Sequence, residues 1–382
     1  MIYLDYQATT PLAPEAFEAM VPWLRDGFAN PHSAHAAGRR AKAAVEVARE
    51  QVAASLPRAG RVSFTSGATE ALNWAIKGAG PGRIVTLATE HVAVLDTIEA
   101  LARQGREIVV VPVGDDGLVD LDMARAAIRP GTALVAAMLV NNEIGVIQPI
   151  AELAEIAQAA GALMLCDAVQ GFGRVAIPAA CDLVAVSAHK VHGPKGIGAL
   201  WMRDGVKLEP LLDGGGQEPG GRSGTLSPAL CVGFGEAAGL MVALSDADAA
   251  HIGRLWKSAM TALDCVPAKA GMQIGSPPSR TRDGWRLNGD GSQRYHGNIN
   301  IRHEGLDVAR LMSDLRDIAF SAGSACASGS GRSSHVLRAL GLSEAQARSS
   351  IRIGFGRYTM EAELAEAIDR IVTAADAQRI AA

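Results

Sequence analysis

Between residues 61 and 202 the chain alternates short apolar runs, rich in β-branched residues, with longer runs whose apolar positions recur at helical spacing. The short runs at 61–65, 83–87, 107–112, 133–139, 162–167, 183–187 and 197–202 predict strands. The longer runs at 69–77, 92–103, 121–128 and 151–160 predict helices between them. Near-continuous apolar strands alternating with amphipathic helices imply an α/β fold with a mostly parallel sheet covered on both faces. In such a sheet the functional groups collect in the loops after the strands and at helix N-termini. An Ala-rich run at 35–56, stopped by Pro57, predicts a further helix upstream.

After Met202 the pattern changes. Residues 212–224 form a long Gly-rich loop, and 228–263 predict a helical stretch. Residues 269–297 are polar and rich in Gly, Pro and Arg, and predict an irregular insertion. A strand (298–302), a helix (306–314), a small-residue run (321–334), a helix (335–340), a strand (351–355) and a helix (361–378) complete the chain. The expected division is a large domain over 15–250 and a smaller α+β domain built from 1–14 and 251–382.

Composition narrows the classes. The 382 residues are 48% hydrophobic and 20% charged, as in ordinary globular proteins, and the length suits two domains. The net charge of −4 is spread without a basic block, which argues against a nucleic-acid partner. The longest apolar stretches, such as 133–140, fall far short of the roughly 18–20 residues that span a bilayer. The N-terminus lacks a basic segment followed by an apolar one, so the expectation is a cytoplasmic protein without a membrane partner. Five cysteines, an odd number with no C-x-x-C pair, argue against a disulfide framework and a zinc site. Cys166 and Cys181 lie in or beside apolar segments and are expected to be packed in the interior.

Cys326 is different. It stands in Ser321-Ala322-Gly323-Ser324-Ala325-Cys326-Ala327-Ser328-Gly329-Ser330-Gly331-Arg332-Ser333-Ser334, a segment with little side-chain volume to bury a thiol. Such a composition predicts a flexible tether. Taken alone, Cys326 is either a nucleophile that travels or a tolerated loop cysteine.

The strand ends carry a series of polar groups. Ser187-Ala188-His189-Lys190 follows one strand, and a lysine held there near a pocket can serve as a Schiff-base amine; alternatively it is a solvated loop lysine. Asp167 ends another strand, with Gln170 close behind. A carboxylate opposite a pyridine nitrogen makes pyridoxal phosphate an electron sink, and Gln170 can donate to the ring oxygen; the competing role for Asp167 is a helix cap. Thr65-Ser66-Gly67-Ala68-Thr69-Glu70 leads from a strand into a helix, where small residues and free N–H groups suit a phosphate, with Ser187 and His189 as added donors. His91, after the 83–87 strand, can stack on a flat ring and exchange protons. Asn142, in Asn141-Asn142-Glu143, offers an amide. Arg352 offers either a carboxylate clamp or a structural ion pair.

Together with Leu4-Asp5-Tyr6-Gln7-Ala8-Thr9-Thr10-Pro11, Gly193–Gly198, Arg222-Ser223-Gly224-Thr225 and Ser324-Ala325-Cys326, these motifs resemble, in the same order over nearly the whole chain, the cysteine desulfurases of the NifS/IscS type. Those belong to the class V group of fold-type I pyridoxal-phosphate enzymes, and the spacing from Cys326 to Arg352 is similar to the group I branch. The resemblance implies that Lys190 is the Schiff-base lysine, Asp167 the pyridinium partner, Gln170 the ring-oxygen partner and His91 the stacking and proton-handling residue. It implies that Asn142 lies near substrate and cofactor, and that Ala68, Thr69, Ser187 and His189 hold the phosphate. Thr225 would reach the phosphate of a neighbouring subunit, making a homodimer, and Arg352 would hold the carboxylate of L-cysteine. Cys326 would receive the sulfur as a persulfide and pass it to an acceptor such as an iron–sulfur scaffold. No intrinsic metal is implied, only a cluster held transiently by Cys326 with a scaffold. Selenocysteine lyase, another class V enzyme, or a scaffold on the same fold are the alternatives. The 269–297 stretch and the short segment after 378 depart from IscS-like members and leave the acceptor open.

Overall fold

The computed structural model describes residues 1–263, 284–323 and 333–380. Cys265, Cys326 and most of the expected 269–297 insertion lie outside them. The chain opens with a short strand, β1 (Ile2–Tyr3), and a helix, α1 (Pro14–Arg25). Pro14 supplies the preset φ that suits a first helical position. Then follow α2 (Ala36–Ala53), β2 (Gly60–Thr65), α3 (Ala68–Gly78), β3 (Arg83–Leu87), α4 (Val92–Ala102) and β4 (Ile108–Val111). Next come α5 (Leu121–Ala127), β5 (Thr132–Met138), α6 (Ile150–Ala159), β6 (Leu163–Asp167), β7 (Leu183–Ser187) and β8 (Gly198–Arg203).

The strands β2 to β8 form one seven-stranded sheet, in the order β2-β8-β7-β6-β5-β3-β4. The five strands from β3 to β7 run parallel, and β8 runs antiparallel to both neighbours. The expected mostly parallel, helix-covered sheet is therefore present. Aliphatic side chains fill both of its faces. One face packs Val85, Val135, Met164 and Val184 beneath α2, α6 and α7, and the other packs Ile84, Leu134, Leu165 and Leu183 beneath α3 and α4. Cys166 and Cys181 are buried in the first of these cores, as expected. From β3 the chain leaves toward β4, whereas from β5 it proceeds toward β6 and β7. The loops after β3 and β5 thus flank a topological switch point, where open α/β sheets bind ligands.

Residues 228–263 were expected as one helical stretch. They form two helices, α7 (Pro228–Ala243) and α8 (Ser245–Ala262), bent by 73° at Leu244. The reason is a change of partner. Phe234, Ala238 and Met241 of α7 belong to the sheet core, whereas Ile252, Leu255 and Trp256 of α8 belong to a second core. No single helix among the described residues is long and apolar enough to cross a membrane.

The second core is built on β9 (Trp285–Leu287), β10 (Asn298–His303), α9 (Val308–Asp314), β11 (Ile318–Ala319), β12 (Ser321–Ala322), α10 (His335–Ala339), α11 (Glu344–Arg348), β13 (Ser350–Gly354) and α12 (Glu361–Ile380). An antiparallel sheet, β12-β13-β10-β9, packs against α8 and α12. β1 pairs parallel with β11 and returns the N-terminus to this core. The described part of the expected irregular insertion, 284–297, is ordered differently from that reading: β9 pairs with β10, and Arg294 is buried. Its guanidinium bonds to the carbonyls of Ile144 (2.7 Å) and Asp290 (3.0 Å), so a polar stretch here is interior rather than solvated.

Candidate active site

A cavity of about 650 Å³ opens beyond the C-terminal ends of β3, β5, β6 and β7. Ala68, Thr69, His91, Asn142, Asp167, Gln170, Ser187, His189, Lys190 and Arg352, all singled out from the sequence, line it. Thr225 does not; it is exposed in the loop before α7. Cys326 lies outside the described residues.

Lys190 sits on a single 3₁₀ turn, Ala188–Lys190, directly after β7. Its Nζ donates to the carbonyls of Gln7 and, at 2.9 Å, Ala8. Asp167, at the end of β6, is 3% exposed and accepts the Val169 N–H at 3.0 Å. Burial raises its pKa to about 6, against the opposing pull of that N–H and of the Lys190 charge. Glu90, wholly buried nearby, accepts the Met138 N–H at 2.9 Å. Burial, and then the Asp167 charge, push its pKa well above the usual carboxylate range. Of the two carboxyls, Glu90 is the one pushed further toward its neutral form.

His91 caps α4: the Ala93 N–H donates to its Nδ1 at 3.1 Å. The neutral ring must then carry its proton on Nε2. Burial, followed by the charges of Lys190 and His335, lowers its pKa to about 4, so His91 is neutral at pH 7 and acts as a donor through Nε2–H. His189 is also pushed down to about 4, by burial and then by Lys190 and Lys195, and its Nδ1 lies 3.2 Å from Thr9 Oγ1.

Arg352 forms the structural ion pair open to it and also faces the cavity. It is 1% exposed and lines the cavity, and it forms a 2.8 Å ion pair with Asp5. Its Nη1 donates to the Asn142 carbonyl at 2.9 Å, while its buried Nε has no partner among the described residues. Asp5, Gln7, Ala8 and Glu90 were not assigned roles from the sequence. The first three lay within the quoted 4–11 motif, and only their long-range pairing with Lys190 and Arg352 reveals what they do.

The geometry fits pyridoxal phosphate. Asp167 is a buried carboxyl with a single N–H donor, a setting completed by a cationic ring nitrogen. Gly67 precedes α3 without any side-chain cap, and a Cβ there would meet nothing within 4 Å, so the first helical N–H groups face open cavity. Gln170 Nε2 donates to the Gln7 carbonyl at 2.9 Å, and its buried Oε1 has no partner. In this rotamer Gln170 offers a ring hydroxyl an acceptor, where a donor was expected. Among the described residues no three His, Cys, Asp or Glu side chains converge as metal ligands.

Comparison with known proteins agrees with this architecture. Residues 2–366 match the family described as aminotransferase class-V. The chain is 41% identical to cysteine desulfurase IscS of Rickettsia bellii, over 97% of this chain and 90% of that one. It is 42% identical to a probable mitochondrial cysteine desulfurase of Schizosaccharomyces pombe, over 97% of this chain and 73% of that one. A solved NifS-like protein superposes with a TM-score of 0.86 at 30% identity, covering 98% of each chain. With a parallel sheet, a lysine after β7 and an aspartate after β6 all in one cavity, the chain belongs to the class V aminotransferases of fold type I, pyridoxal-phosphate enzymes, among the cysteine desulfurases of the NifS/IscS type.

Proposed function

We propose that the chain converts L-cysteine to L-alanine and takes the sulfur as a persulfide on Cys326. The observation that carries the reading is the convergence of Lys190, Asp167 and His91 on the cavity that Arg352 also lines. Bound pyridoxal phosphate supplies an electron sink there, with Asp167 holding the ring nitrogen in its protonated form. Ala68, Thr69, Ser187 and His189 hold the phosphate, and Gln170 and Asn142 orient ring and substrate. Arg352, fixed by Asp5 and Asn142, holds the substrate carboxylate. The Lys190 amine moves the Cα proton, and His91 Nε2–H stands as proton donor. The Cys326 thiolate attacks the substrate sulfur; the S–S bond forms as the C–S bond breaks, and a proton takes sulfur's place on carbon to give alanine.

The described flanks of the Cys326 segment are fastened beside this cavity. The Gly323 N–H donates to the Ser350 carbonyl at 2.8 Å, and Ser334 Oγ bonds to the buried Glu143 carboxyl. We assign Thr225, exposed and outside its own cavity, to the phosphate of a second subunit in a homodimer. The cytoplasm suits the unpaired, buried Cys166, Cys181 and Cys231. An iron–sulfur scaffold is the proposed acceptor, which the IscS names of the relatives support.

The test uses purified holoenzyme with L-cysteine and a dithiol reductant. Wild type yields alanine and sulfide in equal amounts. Cys326→Ser keeps the cofactor's colour and binds cysteine but releases no sulfide, and Lys190→Ala loses the long-wavelength absorbance band. Full sulfide release by Cys326→Ser refutes the nucleophile, and an unchanged spectrum in Lys190→Ala refutes the cofactor lysine.

A further inference from the structure

Behind the catalytic lysine lies a second cavity, of about 280 Å³, between the loop after β6, the start of α8 and residues 294–296 and 356–357. Val175, Met241 and Ile252 give it an apolar floor. Three guanidiniums, Arg174, Arg294 and Arg357, line it against one carboxylate, Asp248. That carboxylate is committed to Arg357, bonding its Nη2 at 2.6 Å and its Nε at 3.0 Å. Arg294 is engaged by the carbonyls of Ile144, Asn288, Asp290 and Asn298, so the charge that matters here is that of Arg174.

Two features direct that charge toward a ligand. The Arg357 side chain is 9% exposed, yet its buried Nη1 has no hydrogen-bond partner among the described residues. Arg174 has only carbonyl oxygens as hydrogen-bond acceptors, those of Gln170 (3.1 Å) and Lys190, and no carboxylate among the described residues comes within 4 Å of it. Its guanidinium carbon stands 5.3 Å from the Tyr295 ring centroid. The histidines on the wall add no charge at pH 7: burial and then Arg174 push His192 down to about 4, and burial also lowers His296. A partly desolvated guanidinium without an anion is an unfavourable arrangement that a carboxylate relieves with paired, charge-assisted hydrogen bonds.

We propose that this cavity binds a small organic dicarboxylate, one carboxylate on Arg357 Nη1 and Arg174, with the carbon chain on the apolar floor. Its volume lies near the lower end of small-molecule sites, which suits a four-carbon acid. Arg174 makes the site consequential. The same guanidinium holds the main-chain carbonyls of Gln170 and Lys190, both residues of the catalytic cavity. An occupant therefore bears on how Lys190 is held.

Calorimetric titration of the holoenzyme with succinate tests this, with succinamide and inorganic phosphate as comparison probes. Succinate is expected to bind with a millimolar or tighter constant and to raise the melting temperature by about 3 °C near saturation; succinamide is expected not to bind. Arg174→Gln keeps N–H donors for the two carbonyls but removes the charge, and should weaken binding at least tenfold. Ala249→Phe, at the exposed mouth of the cavity, should abolish binding by filling it. The pH midpoint of the cofactor's absorbance should shift when succinate is added to wild type and stay put in Ala249→Phe. Absence of succinate binding to wild type overturns the proposal, as does binding that survives Ala249→Phe. Phosphate bound more tightly than succinate and blocked by Ala249→Phe overturns the carboxylate assignment. An unmoved midpoint overturns the link to Lys190.

Discussion

Gly198 tests whether the start of α3 is the phosphate cup. It opens β8, between Thr65 of β2 and Ser187 of β7, directly under Gly67. A Cβ at position 198 would lie 2.5 Å from the Val186 carbonyl oxygen and 2.8 Å from both Gly67 Cα and Gly67 C. All three obstacles are backbone. Carbon contacts of 2.8 Å fall roughly 0.6 Å short of ordinary separation, so Gly198→Ala must push Gly67 outward by about that much. The sheet blocks retreat on the other side, which sends the displacement into the cavity. An N–H bonded to an anion at about 2.9 Å would then be carried beyond useful range. Losing one or two charge-assisted bonds, each worth about 1.5–3 kcal/mol, predicts a cofactor affinity lowered by about 100-fold. Overpacking adds about 1–3 kcal/mol of lost fold stability. The assay is reconstitution of apoenzyme, following the cofactor's absorbance against added pyridoxal phosphate. Gly80→Ala, where a Cβ meets nothing within 4 Å, is the control for glycine replacement itself. Half-saturation of Gly198→Ala within twofold of wild type, at a measurable loss of stability, would refute the placement of the phosphate on Gly67 to Thr69.

Three buried histidines should each make the cofactor-free protein less stable in acid. His91, His189 and His192 are held near 4, below the ordinary 6.5, so the unfolded chain takes up their protons first and stability falls between pH 6.5 and 4. Each contributes about 1.4 kcal/mol per pH unit, while the raised carboxyls of Asp167, Glu90 and Glu143 act in the opposite sense, so the contribution is read as a difference. The stability gap between wild type and His192→Gln in urea denaturation should close by about 1.4 kcal/mol per pH unit between pH 6 and 5, and a constant gap would contradict the burial of that ring. Glu218→Gln should cost about 3 kcal/mol in equilibrium denaturation followed by tryptophan fluorescence. The wholly buried Glu218 carboxylate accepts from Arg49 Nη1 (2.7 Å), Arg49 Nη2 (2.8 Å) and the Phe64 N–H (2.5 Å), and an amide leaves Arg49 only the half-exposed Glu46 carboxylate, 3.1 Å from its Nε, as a charged partner. A loss below about 1 kcal/mol would show that the pair contributes little.

The parts of this fold that could be read in advance are those fixed by local pattern. The apolar runs at 83–87, 133–139 and 183–187 became parallel strands because continuous Val, Ile, Leu and Ala positions fit a sheet buried on both faces. Asp167 and Lys190 were found because the first ends such a strand and the second lies three residues past one. What escaped the reading depends on distant partners. The bend at Leu244 arises because α7 and α8 serve different cores, which helical periodicity does not record. Arg294 looks like a loop residue in sequence, but carbonyls gathered from 144, 288, 290 and 298 make its burial possible. α1 does carry an apolar stripe, with Met20 buried against Gly233 of α7, but Pro14 and Pro22 punctuate it in sequence like a loop. Asp5 and Glu90 had no local signal, since each takes its meaning from a residue on another element.

The way the amino terminus is threaded also dates the birth of the site. Residues 2–3 lie beside 318–319, Asp5 bridges to Gly354, and the carbonyls of Gln7 and Ala8 reach Lys190. Residues 2–8, made early, thus wait for residues 318–354, made much later, before they can settle. A nascent chain can close its sheet once β8 has emerged, but Arg352 and the strand that anchors residues 2–5 come some 150 residues later in synthesis, a delay of about ten seconds or more. Capture of the cofactor in a finished cavity therefore waits until residues 318–354 have been made, and until then residues 2–8 have nowhere to dock.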